Sequence, residues 1–124
     1  MSFSILIVDD SDVVRHSLRS SIEQSTDWEV CGEAENGKIA IEKVRELGPD
    51  AVILDFAMPV MNGMDAARRI TRIAPQTTIV MLTMHHSVEL LKKAQAAGIK
   101  DVISKSGRVL DELVISLRAA RAGA

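Results

Sequence analysis

Aromatic residues are nearly absent from this sequence. Phe3, Trp28 and Phe56 are present but tyrosine is missing, so aromatic residues make up only 2% of the chain. Few rings are therefore available to stack on nucleic acid bases, and a formal net charge of −2 provides no basic field for a phosphate backbone. We expect this domain not to bind nucleic acid directly.

Cysteine and long apolar segments are also scarce. Cys31 is the single cysteine, which excludes an internal disulfide and is typical of proteins in a reducing cytoplasm. The first apolar run, residues 5–8, meets two aspartates at once and is too short for a secretion signal or a membrane span. We therefore expect a cytoplasmic protein that does not enter a membrane.

The rest of the composition is that of one globular domain. Hydrophobic residues make up 47% of the 124 residues and charged residues 26%, so the chain can bury a core and remain soluble. Because aromatic residues are so few, this core must consist mainly of Val, Ile, Leu, Ala and Met. The composition predicts a single domain spanning residues 1–124.

Apolar runs and amphipathic segments alternate along the chain. The runs predict strands at residues 3–8, 28–34, 51–54, 78–82 and 102–104. Each run precedes a segment with apolar residues at helical spacing, such as Val14, Leu18 and Ile22 after the first strand. Repeated strand–helix units need crossover connections, which produce a parallel sheet with helices on both faces. The pattern therefore predicts a doubly wound α/β fold.

Polar side chains collect where the predicted strands end. Asp9 and Asp10 follow the first strand, Asp55 the third, Thr83 the fourth and Lys105 the fifth. In an open α/β sheet, ligands bind outside the carboxyl ends of the strands. We therefore predict that these side chains form one site.

The residue types in this set are suited to phosphoryl transfer. Three carboxylates at one sheet edge would repel one another unless a cation lay among them, and a donor set made only of oxygen favours Mg²⁺ over Zn²⁺. Lys105 offers a positive charge and Thr83 a hydroxyl for phosphoryl oxygens. The nucleophile in such a site would be a carboxylate, as in aspartyl-phosphate enzymes.

Several motifs resemble the response-regulator receiver family of two-component signalling. They occur in the family's order and cover nearly the whole chain: ILIVDD at residues 5–10, VILDFAMP at 52–59, MNG at 61–63, MLT at 81–83 and ISK at 103–105. The resemblance implies a flavodoxin-like (βα)5 fold, in which the five parallel strands have the order 2-1-3-4-5.

The resemblance also implies a set of metal ligands. Asp10 and Asp55 would ligate Mg²⁺ directly, and Asp9 would assist through a water molecule. The backbone carbonyl of Phe56 would be a further protein ligand. The expected cofactor is therefore Mg²⁺.

By the same resemblance, Asp55 is the phosphoacceptor, Thr83 donates a hydrogen bond to the phosphoryl group and Lys105 pairs with it. The phosphoryl donor would be the phosphohistidine of a sensor histidine kinase or phosphotransfer protein, or a small molecule such as acetyl phosphate. The family catalyses its own phosphorylation and dephosphorylation, so we expect no separate enzymatic turnover.

Two positions depart from the commonest family pattern. Most receivers have Tyr or Phe at the position of Val102, and most have Pro where Ser106 follows the lysine. The segments at residues 83–85 and 105–107 look most like NarL/LuxR-type receivers, which normally precede a helix-turn-helix DNA-binding domain. This leaves open that the chain is the N-terminal part of a longer transcriptional regulator, with a homodimer forming on phosphorylation.

Other functions stay open at this point. A phosphatase or phosphomutase of the haloacid-dehalogenase type would have a second acid two residues after the nucleophile, where this chain has Ala57. A phosphorylation-independent receiver that acts as a protein-interaction module is opposed by the complete acidic set, although Val102 keeps it open. His85, two residues after Thr83, offers either acid–base chemistry or a solvated loop side chain.

Overall fold

Strands and helices alternate from end to end in the computed structural model, which describes residues 2–123. The strands are β1 (Ser4–Val8), β2 (Glu29–Ala34), β3 (Ala51–Asp55), β4 (Thr78–Thr83) and β5 (Asp101–Ser104). The helices are α1 (Asp12–Ser25), α2 (Gly37–Leu47), α3 (Gly63–Ile73), α4 (Val88–Ala96) and α5 (Val109–Gly123). Within residues 2–123, no helix combines the length and the apolar character that crossing a membrane requires.

The strands form one parallel sheet in the order β2-β1-β3-β4-β5. The predicted α/β fold and strand order are therefore confirmed. In the sheet register, Val8 lies opposite Leu54, and Asp55 lies opposite Leu82. Neighbouring strands thus end at nearly the same level, and the side chains that follow them share one edge.

Both faces of the sheet are buried, which explains the nearly continuous apolar runs of the strands. Along β1, Leu6 and Val8 point into one core, while Ile5 and Ile7 point into the other. The core on the first face includes helix residues Ala40, Val44, Ile70 and Ala94 of α2, α3 and α4. The core on the second face includes Ile22, Leu113 and Leu117 of α1 and α5.

The first four helices begin on side-chain caps at the carboxyl edge of the sheet. The side-chain oxygens of Ser11, Asn36, Asn62 and Ser87 each accept a hydrogen bond from a backbone N–H in the first turn. These caps fix the direction in which the chain leaves each strand. They therefore hold the loops that carry the polar residues.

Candidate functional site

Three carboxylates converge at the carboxyl edge of the sheet. Asp9 and Asp10 follow β1, and Asp55 is the last residue of the neighbouring strand β3. Each offers an oxygen atom, and these oxygens lie within 4.8 Å of one another. Asp9 and Asp55 are only 2% and 4% exposed, whereas Asp10 faces solvent. The cluster is therefore open to solvent on one side and closed by protein on the other.

Lys105 joins this cluster from β5, two strands away from β3. Its Nζ lies 2.8 Å from Asp55 Oδ1 and 3.3 Å from Asp9 Oδ2. The backbone of Lys105 is held at the edge of the sheet because its N–H donates to the carbonyl of Thr83 at 2.8 Å. The predicted convergence of Asp9, Asp10, Asp55 and Lys105 is therefore observed.

Opposing influences act on the pKa values of Asp55 and Lys105, which form the central ion pair. Burial is the largest influence on Asp55, and together with the negative charges of Asp9 and Asp10 it raises the pKa despite the opposing effect of Lys105. Burial alone would lower the pKa of Lys105, but contact with Asp55 and Asp9 raises it. Lys105 thus stays charged. For Asp55, the effects of burial and of the neighbouring carboxylates outweigh the contact with Lys105 and disfavour the ionised form.

This acidic cluster fits a hard divalent cation. Lys105 supplies one positive charge against three carboxylates, so a cation at the cluster would offset the remaining repulsion. All the side-chain donors are oxygen atoms, and the solvent-facing side at Asp10 leaves room for water ligands. The residues present can therefore hold Mg²⁺.

The loop after Asp55 is fixed by close backbone packing. The N–H of Phe56 donates to the carbonyl of Leu82, and the carbonyl of Phe56 accepts from the N–H of Gly63, both at 2.9 Å. A Cβ atom at Gly63 would lie 2.4 Å from the carbonyl oxygen of Asp55. This position therefore requires glycine. The carbonyl of Phe56, the residue after Asp55, accepts one hydrogen bond and keeps a second lone pair.

Thr83 lies at the end of β4, between the strands that carry Asp55 and Lys105. It is only 4% exposed, and its Oγ1 accepts a hydrogen bond from the N–H of His85 at 3.2 Å. This bond uses the oxygen as an acceptor, so the hydroxyl hydrogen remains a donor. The structure thus places Thr83 at the predicted edge of the sheet, with a hydroxyl suited to an anion.

Two residues that support this edge were not found from the sequence. Nη1 of Arg15 on α1 donates to the carbonyl of Asp9 at 2.5 Å, and its Nε pairs with Glu33 at 3.0 Å. Arg19 also pairs with Glu33, at 2.8 Å. The spacing of Arg15 and Arg19 on one helix face was a visible signal, but their contact with Glu33 depends on how α1 packs beside β2.

Three further positions noted in the sequence, Val102, Ala57 and His85, have different surroundings. Val102 is 4% exposed and belongs to the core beneath α4, so the place of the usual aromatic ring is filled by a small aliphatic side chain. Ala57 and His85 are both exposed, Ala57 two residues after Asp55 and His85 two residues after Thr83. Ala57 carries no acid or base, which agrees with a site that lacks the second acid of a phosphatase.

Comparison with known proteins agrees with this geometry. The family model for the response regulator receiver domain matches residues 5–118. The chain is 41% identical over 105 residues to the chemotaxis protein CheY of Thermotoga maritima, covering 85% of this chain and 87% of that protein. It is 35% identical over 111 residues to the response regulator protein VraR of Staphylococcus aureus, covering 90% of this chain but 53% of VraR.

A solved structure shows the same likeness in three dimensions. A LuxR-family two-component response regulator from Aurantimonas superposes with a TM-score of 0.92 at 32% identity, covering 99% of this chain and 87% of that one. Receiver domains bind Mg²⁺ at an acidic cluster and interact with histidine kinases or phosphotransfer proteins. With its fold, its acidic edge and the match over residues 5–118, this chain belongs to the response regulator receiver domain family of two-component signalling.

Proposed function

We propose that Asp55 accepts a phosphoryl group from the phosphohistidine of a sensor histidine kinase or phosphotransfer protein. The observation that carries this proposal is the position of Lys105 Nζ, 2.8 Å from Asp55 Oδ1, beside three carboxylates whose oxygens lie within 4.8 Å. In this proposal Asp10, Asp55 and the carbonyl of Phe56 would hold Mg²⁺, and Asp9 would assist through a water molecule. The metal supplies positive charge for the phosphoryl oxygens.

The residues of the chain divide the chemistry among them. A carboxylate oxygen of Asp55 attacks phosphorus, so an O–P bond forms as the P–N bond of the phosphohistidine breaks, and the leaving imidazole keeps the electron pair. Lys105 shifts from the carboxylate towards the phosphoryl oxygens, and Thr83 donates its hydroxyl hydrogen to one of them. The same machinery serves autodephosphorylation, and Ala57 supplies no general acid for sustained turnover of an external substrate.

The output we propose is regulation of transcription in the cytoplasm, through a switched protein surface. Relatives of this chain include VraR and the transcriptional regulatory protein LnrK of Bacillus subtilis. A phosphoryl group adds roughly −1.5 to −2 charge at neutral pH. Attraction of Thr83 and Lys105 to this charge would repack residues 84–87 and α4, and would favour a homodimer or a new partner.

The direct test is the intact mass of the protein after incubation with acetyl phosphate and Mg²⁺. We expect a gain of one phosphoryl group, which is lost on adding EDTA and in Asp55→Asn. Asp27→Asn is the matched control, because Asp27 is an exposed aspartate that follows α1. Labelling that persists in Asp55→Asn would refute Asp55 as the acceptor.

A phosphorylation-independent interaction module is the second candidate, and the aliphatic core position of Val102 favours it. Binding of beryllofluoride, a mimic of the phosphoryl group, separates the two candidates. NMR spectra that change on adding beryllofluoride and Mg²⁺ would support the phosphoacceptor. Spectra that stay unchanged, together with absent labelling, would leave the interaction module as the function.

A further inference from the structure

Helices α2 and α3 pack side by side on one face of the sheet and present a basic surface there. Its exposed cationic side chains come from both helices: Lys38, Arg45, Arg68, Arg69 and Arg72. The chain as a whole has a formal net charge of −2. This concentration of positive charge on one face therefore runs against the overall charge of the protein.

Most of these cations have no acidic partner. Arg68 pairs with Asp65 at 2.9 Å. Among the described residues, Lys38, Arg45, Arg69 and Arg72 take part in no ion pair within 4.0 Å. Arg15 and Arg19, on α1, are by contrast both paired with Glu33. The α2–α3 face thus offers positive charge that the fold itself does not use.

A groove with an apolar floor runs between the two helices. A cavity of about 430 Å³ is lined by the apolar residues Ile41, Met61 and Ile73 together with charged residues that include Arg69 and Arg72. Ile73 is 38% exposed, so the floor is reachable from solvent. A second cavity of about 400 Å³ shares Met61, Arg69 and Arg72 with the first, so the groove continues towards the loop after β3.

We propose that this groove binds an acidic, amphipathic segment of a partner protein. Carboxylates on such a segment complement the unpaired arginines, and its apolar side chains cover Ile41, Met61 and Ile73. Nucleic acid fits the groove less well. Glu42 lines the cavity and would repel a continuous polyanion, and none of the lining residues is an aromatic that could stack on a base.

The test begins with panning a phage-displayed random peptide library against the unphosphorylated protein. Phage that bind the double variant Arg69→Glu/Arg72→Glu are removed first, before selection on the unmodified protein. We expect the enriched peptides to combine Asp or Glu with Leu, Ile or Phe, and to shift amide NMR signals in α2 and α3. Binding should weaken at least about tenfold in the double charge reversal, and should also weaken as salt is raised.

The matched control is Lys92→Glu/Lys93→Glu, which makes the same change in net charge on the exposed face of α4. It should leave peptide affinity within about twofold of the unmodified protein, since its charges lie outside the groove. Thermal unfolding verifies that both variants fold. Enriched peptides without acidic residues, no enrichment at all, or tighter binding of a DNA duplex to the groove would each overturn the proposal. Because no phosphoryl group is involved, its failure is distinct from a failure of Asp55 as acceptor.

Discussion

The two ends of the sheet are built on different physical principles. At the amino edge, the ring of Phe3 packs against Trp28 with centroids 5.3 Å apart, and the guanidinium of Arg121 lies 5.3 Å from the centre of the same ring. At the carboxyl edge, Asp9 and Asp55 are buried beside each other. The packing at the amino edge therefore stabilises the fold. At the carboxyl edge, the buried carboxylates destabilise the fold but are positioned for phosphoryl transfer and metal binding.

The largest expected effect comes from breaking the amino edge. Trp28→Ala removes a side chain that is 6% exposed, and we expect the free energy of unfolding to fall by about 3–5 kcal/mol. Urea denaturation followed by circular dichroism measures this, since the variant has no tryptophan to report by fluorescence. The Mg²⁺ affinity of the folded variant should stay unchanged, because Trp28 lies at the opposite edge from the carboxylates. A fall in that affinity would show that the two ends are coupled.

The second prediction concerns the carboxyl edge and its cation. At an Mg²⁺ concentration about 100 times its dissociation constant, the free energy of unfolding should rise by roughly 2.7 kcal/mol. Asp55→Asn should abolish most of this gain, and in EDTA it should itself stabilise the protein. Thermal unfolding with and without Mg²⁺ checks both, and Asp27→Asn should keep the full gain.

The sign of the Asp55→Asn effect follows from its pKa. Burial and neighbouring charges raise the pKa of Asp55 in the folded state. A raised pKa of an acid means that protonation favours folding. This contribution is present below the pKa of the unfolded chain and is lost as the pH rises through the folded value. At neutral pH the ionised carboxylate therefore costs stability, and a variant less stable than the unmodified protein in EDTA would contradict this account.

A third prediction tests the backbone beneath the acidic cluster. Gly63→Ala would place a Cβ atom 2.4 Å from the carbonyl oxygen of Asp55. We therefore expect the free energy of unfolding to fall by about 2 kcal/mol and Mg²⁺ binding to weaken. Gly107→Ala is the control, because its Cβ would meet only Glu112 Oε2 at 3.4 Å and Ser104 O at 3.8 Å. Calorimetric titration of Mg²⁺ into both variants measures the difference. Equal affinities would show that the loop position does not affect the carboxylates.

Glu33 offers a smaller effect near the carboxyl edge. Burial opposes ionisation of this carboxyl group, but hydrogen bonds and charges from Arg19 and Arg15 outweigh it and lower the pKa. A lowered pKa contributes stability above the pKa of the unfolded chain, and the contribution is lost as the pH falls through the folded value. Glu33→Gln should therefore lower the free energy of unfolding by about 1 kcal/mol at neutral pH. The decrease should be smaller below the ordinary Glu pKa of about 4.3. A cost independent of pH, measured by urea denaturation, would exclude the charge as its cause.

The sequence predicted which residues meet at the carboxyl edge better than it predicted the contacts between helices and the sheet. Asp9, Asp10, Asp55 and Lys105 follow apolar runs, and the parallel topology alone brings such strand ends together. Strand limits were predicted to within a residue or so, since the runs are buried on both faces. The roles of Thr83 and the carbonyl of Phe56 in phosphoryl transfer and metal binding remain predictions.

The contacts of Arg15 and the groove between α2 and α3 could not be predicted from spacing. Both depend on how a helix is rotated and which neighbour it meets, and an amphipathic pattern does not specify the residue on the facing element. In the sequence, Arg68 and Arg69 form a charged pair typical of a solvated helix face. Arg69 and Arg72 line one groove with Ile41 because α2 packs beside α3.

The two edges also differ in backbone strain, and relieving it at the carboxyl edge should have an effect about as small as that of Glu33→Gln. Where helices return to the amino edge, positive φ angles occur at glycines, with Gly48 at 56° and Gly98 at 92°. In the loop after β3, at the carboxyl edge, the β-branched residue Val60 has a φ of 69° and is 77% exposed. A valine in this left-handed region of backbone conformation destabilises the folded state by roughly 1–2 kcal/mol, whereas asparagine adopts the same conformation more readily.

Val60→Asn should therefore raise the free energy of unfolding by about 1 kcal/mol, because an exposed side chain contributes little packing that could be lost. The reverse change, Gly48→Val, tests the same cause at the other edge. A Cβ atom at Gly48 meets nothing within 4 Å, so any loss of stability there reports the backbone conformation alone. We expect about 1–2 kcal/mol of destabilisation in urea denaturation. If Val60→Asn brings no gain while Gly48→Val is destabilising, the loop after β3 relaxes its strain in solution, and the difference between the edges rests on charge instead.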